Sequence, residues 1–174
     1  MEEEKKATVE EVRLACRQFA MLYFHFCKVL VESLGEENAL PLIQKAVFEL
    51  SLDRTDGARK RAAARGLACS LENFKQVNDL PFIAWSEWNP ECGEVRCPYA
   101  HQWLGYYKDY PWFKKIALLY CDVIDTTNIE NFSRTTSHRI TKNLLNGDPS
   151  CEREYFPSDA VKDGKLSYGE RKRF

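Results

Sequence analysis

At 174 residues, with 44% apolar and 29% charged side chains, the chain is long enough for one self-sufficient core and ordinary in composition. Its formal net charge of -1 gives no electrostatic reason for a nucleic-acid or anionic-membrane partner. Seven cysteines, an odd number with no Cys-x-x-Cys pair, argue against a secreted disulfide framework and for a reducing cytoplasm. No apolar run approaches the length of a membrane span, and residues 1–6 lack the basic-then-apolar pattern of a signal peptide.

Thr8-Val9-Glu10-Glu11 has capping-box spacing and opens a predicted helix ended by Gly35. Val12, Cys16, Phe19, Tyr23, Phe26 and Leu30 form its apolar stripe, with Cys16 and Cys27 expected in the core. Leu40, Ile43, Ala46, Val47 and Leu50 signal a second helix, with Pro41 in its first turn. A short basic helix is expected over 56–65, stopped by Gly66, and another over 70–78.

From Pro81 the character changes. Segments 82–88 and 94–97 flank the turn 89–93 and predict a hairpin. Pro98 starts a short helix that Gly105 closes, and Pro111 leads into a longer one reaching about Asn128. Residues 132–145, rich in Thr and Ser, read as a long strand; Asn146-Gly147-Asp148-Pro149 is a turn, and 151–156 returns. The expected architecture is α+β, a single domain over 1–156 with N-terminal helices packed on a small antiparallel sheet of hairpins. Residues 157–174 read as a charged C-terminal tail.

Three of the cysteines fall beside structural punctuation. Cys97 precedes Pro98 at a helix start, where amide groups and the helix dipole favour a thiolate, and His101 follows four residues on. The alternative is a small buried side chain with His101 on the surface. Cys121 and Asp125, four apart, share one side of their helix, and a carboxylate there needs a partner. That partner would be a metal, a substrate ammonium, or a basic side chain; otherwise Asp125 caps local backbone. Cys151 opens the last strand on one face with Arg153 and Tyr155, while His138 and Arg134 share a face of the preceding strand. A thiol and basic groups on one sheet face suit a small carboxylate-bearing ligand, although alternating basic residues also describe a solvent face.

The blocks Arg96-Cys97-Pro98, Tyr120-Cys121-Asp122-Val123-Ile124-Asp125 and Gly147-Asp148-Pro149-Ser150-Cys151 together resemble the L-2-amino-thiazoline-4-carboxylic acid hydrolase family. The resemblance spans roughly residues 34–156. A weaker architectural similarity is to vinyl-reductase-like small-molecule and metal-binding domains. Segment 125–132 departs from the first family, lacking a Gly-Phe-Asn-Pro-like stretch after the helical Asp. The resemblance implies hydrolytic opening of a carbon-nitrogen bond in a cyclic amidine or thiazoline carboxylate.

Two mechanisms fit that activity. In one, Cys97, Cys121 and Cys151 hold zinc and Asp125 orients a metal-activated water. In the other, Cys97 or Cys121 attacks as a thiolate and His101 or His138 moves protons. Arg134, His138 and Arg153 are the candidate substrate-binding groups. A non-catalytic sensor or carrier for a small acid or a metal is the alternative function, and purely structural thiols are a third reading.

Overall fold

The computed structural model describes residues 7–158, together with the backbone of 161–162 and 165–166. It is an α+β fold in which helices come first and an antiparallel sheet follows. Six α-helices occur among the described residues: α1 (Val9–Leu34), α2 (Glu36–Ala64), α3 (Leu71–Val77), α4 (Ile83–Ser86), α5 (Pro98–Leu104) and α6 (Phe113–Ser133). Strands β1 (Thr136–Lys142) and β2 (Glu152–Pro157) pair antiparallel, and β3 (Val161–Lys162) pairs with β4 (Lys165–Leu166).

The capping box forms as the spacing predicts. Thr8 Oγ1 accepts from the Glu11 amide at 3.2 Å, and the Glu11 carboxylate accepts from the Thr8 amide at 2.8 Å. The buried face of α1 overlaps the expected stripe in part: Val12, Arg13, Cys16, Ala20, Phe24 and Cys27 turn inward, and of the expected residues Val12 and Cys16 are buried while Tyr23 and Leu30 pack half-buried against the core. Phe26, expected inside, faces solvent, and Phe19 is part-exposed with its ring 5.8 Å from that of Tyr99. The helix carries two apolar stripes, and packing against α2 and α5 selects the one rich in small residues, which lets the helices approach closely. At 26 residues, α1 is also long and apolar enough by composition alone to cross a membrane, contrary to the expectation that no apolar run approaches that length.

Residues 36–64 form one helix, where the sequence suggests two. Continuity across Ser51 to Gly57 comes from α6. Ser51 Oγ lies 2.7 Å from Asn128 Oδ1 and 3.1 Å from the Ile124 carbonyl, and Asn131 Nδ2 donates to Thr55 Oγ1 at 2.6 Å. This satisfied polar seam sits between two apolar helix faces and defines their register, because a slip would leave each group buried and unbonded. The same contacts carry α6 past its expected end near Asn128 to Ser133. With α2 starting at Glu36, Pro41 lies in its second turn rather than its first.

The predicted hairpin over 82–97 is absent. That stretch is α4, a 3-10 turn at Pro90–Cys92 and loop. Its carbonyls find a side chain instead of a partner strand. Buried Arg13 reaches from α1 and donates to the carbonyls of Val95 at 2.8 Å, Arg96 at 3.0 Å and Ala84, while Glu94 lies 3.3 Å from its Nε. The guanidinium fork satisfies several backbone acceptors at once, so the loop needs no ladder.

The long strand expected over 132–145 is shortened at both ends. Phe132 and Ser133 belong to α6, Arg134 is its C-cap in the left-handed region (φ 62°), and Asn143 begins a 3-10 turn at Leu144–Asn146. Part of the expected charged tail is strand: Pro157 ends β2, the Ser158 amide donates to the Thr135 carbonyl at 2.9 Å, and β3 pairs with β4. The remainder of 157–174 lies outside the described residues.

Candidate functional site

Helices α5 and α6 and the β1–β2 hairpin enclose a cavity of about 640 Å³. Its wall includes Cys97, Cys121, Asp125, His138, Cys151 and Arg153, six of the eight residues singled out from the sequence. Such a volume, with apolar walls and a few convergent polar groups, is the usual form of a small-molecule site.

Each element delivers its residue for a local reason. Pro98 at N1 starts α5 and makes Cys97 the N-cap. The i, i+4 spacing on α6 aims Cys121 and Asp125 to one side. Cys151 is placed by the turn before it. Gly147 takes φ 95°, which favours glycine, the Asp148 carboxylate accepts from the Asn143 amide at 2.7 Å, and Asn143 Oδ1 accepts from the Leu145 amide at 3.0 Å. The Leu144 amide then donates to Cys151 Sγ at 3.5 Å, and that sulfur stands 3.8 Å from Asn143 Oδ1. In β2 the residues opposite His138 and Ile140 are Tyr155 and Arg153, so basic and aromatic groups line the strand face towards the cavity.

Charge is paired across the floor. Arg153 donates through Nε at 3.1 Å and through Nη2 to the same Asp125 oxygen, so the carboxylate's partner is a basic residue of the second strand. Burial works against the Arg153 charge, but Asp125 more than offsets it and raises the guanidinium pKa. Cys121 is held as a neutral thiol. Burial pushes its pKa well up, the Asp125 charge and the neighbouring Cys97 and Cys151 add to the rise, and Arg153 opposes it.

Cys97 does not show the expected thiolate character. Helix α5 has only seven residues, and burial pushes the thiol up despite the opposing pull of the Ala100 amide, the Trp85 indole and the Tyr99 amide.

Two expected members stand elsewhere. His101 does not line the cavity: its Nδ1 accepts from the Val95 amide at 3.3 Å and helps hold the loop before α5. Arg134 does not share a strand face with His138, because α6 runs on and makes it a helix cap. Among the described residues, no group of three His, Cys, Asp or Glu side chains is arranged to hold a metal ion. The three thiols share a cavity without standing as a ready ligand set.

Asn143 and Tyr99 were missed from the sequence. Asn143 had a signal, since an asparagine just before a short turn is a common side-chain cap. Tyr99 lines the cavity from the first turn of α5 and had none. A second, more apolar cavity of about 480 Å³ lies beside Cys16, Phe19 and Leu50, and Arg54, Leu80, Tyr99 and Tyr120 line both. No family model, curated protein or solved structure matches the chain.

Proposed function

We propose that the chain is a hydrolase-like protein that takes a small cyclic amidine or thiazoline carboxylate into the larger cavity and opens its ring carbon-nitrogen bond. The observation that carries this reading is the meeting of three thiols and an Asp125–Arg153 pair in one cavity. Arg153 suits a ligand carboxylate, since a guanidinium fork matches two oxygens. Asp125 suits the positive charge of an amidinium.

The cavity chemistry favours Cys121 as nucleophile only with substrate present. A ligand carboxylate that takes over Arg153 frees Asp125, one helical turn from Cys121, to accept the thiol proton. The S–H bond breaks, a bond forms between Cys121 sulfur and the amidine carbon, and the ring C–N bond breaks with nitrogen taking the proton from Asp125. Water then adds to the same carbon, displaces the sulfur and reprotonates it.

A second reading, a non-catalytic binding domain for a small acid or a metal, is favoured by a different observation. Cys97 and Cys121 are both pushed towards the neutral thiol and Asp125 is engaged by Arg153, so neither of these two thiols has a free base beside it to take its proton.

The two readings separate on incubation of purified protein with 2-aminothiazoline-4-carboxylate. The hydrolase reading expects the mass of one added water in the product, lost in Cys121→Ser. Saturable binding with no product overturns it in favour of the binding domain. Stoichiometric zinc that disappears in Cys121→Ser would instead restore the metal route.

A further inference from the structure

We propose that the outer face of α1 is the seam of an antiparallel homodimer. Ala15, Phe19, Leu22, Phe26 and Val29 are all exposed and recur at alternating intervals of four and three residues. That 3.5-residue average is the spacing of helix-on-helix pairing through a and d positions. Leu22, Phe26 and Val29 belong to the stripe that the monomer's own core leaves out, away from Cys16, Ala20, Phe24 and Cys27, and Ala15 and Phe19 continue the row along the smaller cavity, where Phe19 also rests on Tyr99.

Single exposed apolar side chains are commonplace, whereas a continuous row is not. Phe26 is 64% exposed, Val29 59%, Leu22 55% and Phe19 37%. With about 150–250 Å² available per large side chain, these four offer on the order of 400 Å² per copy. That is roughly half of the ~800 Å² a partner contributes to a standard interface, so the flanking rim must supply the rest. The area suits a reversible, concentration-dependent dimer.

The rim argues for a second copy over a lipid surface. Glu11, Gln18, His25 and Glu32 run along one edge at seven-residue spacing, and the one basic side chain among the described residues that pairs with this edge, Lys28, is matched by Glu32 at 3.7 Å. An interfacial membrane helix is recognised by a basic polar face, which this edge lacks. Antiparallel pairing with the two-fold axis near Phe24 seats Leu22 of one copy against Phe26 of the other, Phe19 against Val29, and Ala15 against Ser33. In the first two pairs a larger side chain meets a smaller one. Gln18 comes alongside Glu32 of the other copy, so carboxylates do not face each other, and the two helix dipoles oppose.

Sedimentation velocity of the full chain over a concentration series tests the seam. A reversible shift from 20.2 kDa to twice that mass is expected. Leu22→Glu and Phe26→Glu should each raise the dissociation constant by about 100-fold or more, since each buries an unpaired charge. Their far-UV circular dichroism should stay that of the parent, because neither side chain is in the monomer core. Lys114→Glu, an exposed charge change on α6, should leave the dimer intact. A chain that stays monomeric throughout, or a dimer that both seam variants leave intact, overturns the proposal. Flotation of the parent with phosphatidylcholine vesicles, abolished in Phe26→Glu, would also overturn it by giving the face to a lipid surface.

Discussion

Cys121 sits where two neighbours of opposite charge pull its proton affinity in opposite directions. Asp125 raises its pKa and Arg153 lowers it. Removing them one at a time should therefore move the thiol in opposite directions. Asp125→Asn should speed alkylation of Cys121 by iodoacetamide at a given pH, and Arg153→Met should slow it, by about tenfold for each unit the pKa moves. Peptide mass spectrometry resolves Cys121 from the other six cysteines. Equal rates in the two variants would mean that neither charge acts on the sulfur. The sequence showed the i, i+4 pairing of Cys121 with Asp125 because that relation is local to one helix. Arg153 as its partner depends on a hairpin folding back across α6, which only the tertiary structure supplies.

Elements whose signals are local formed as read: the Thr8–Glu11 box, the Pro98 start of α5, and the turn before β2. Those that differ were decided by a residue far along the chain. Arg13, 71 residues before Ala84, replaces a hairpin with a loop wrapped on its guanidinium. Its mark in the sequence is faint, a charged residue one position from a core stripe. Ser51 and Thr55 look like breakers until Asn128 and Asn131 arrive from α6. That longer α6 is also why Arg134 left the expected strand.

Arg13→Met should leave the Ala84, Val95 and Arg96 carbonyls without their donor, and cost about 3–9 kcal/mol if none of the three regains a partner, at roughly 1–3 kcal/mol per buried unsatisfied group. Hydrogen exchange should rise first over 83–97, ahead of α2 and α6. Uniform loss of protection across all helices would contradict a local role for this arginine.

For the molecule as a whole, buried thiols tie stability to alkaline pH. Burial pushes Cys27 up to about 12, and Cys121 is raised as well. In the unfolded chain the same thiols titrate near about 8.5. Because the folded values are the higher ones, their contribution is complete below about pH 8.5. It is lost progressively as pH rises towards the folded values, at about 1.4 kcal/mol per pH unit for each group that titrates only when unfolded. Urea unfolding between pH 7 and 11 should show this decline, and Cys27→Val should flatten part of it. A flat profile in the parent would mean that these thiols ionise as readily folded as unfolded.

Tyr99 and Tyr120, with Arg54 and Leu80, stand between the two cavities, their rings 6.0 Å apart at 84°. They act as a partition, and a partition is a ruler. A ligand that extends from the thiol-lined side towards the second cavity meets these two phenol rings, with further apolar space behind them. Tyr99→Ala would move the mark, and calorimetric titration with analogues of increasing length should show the variant accepting members of the series that the parent refuses.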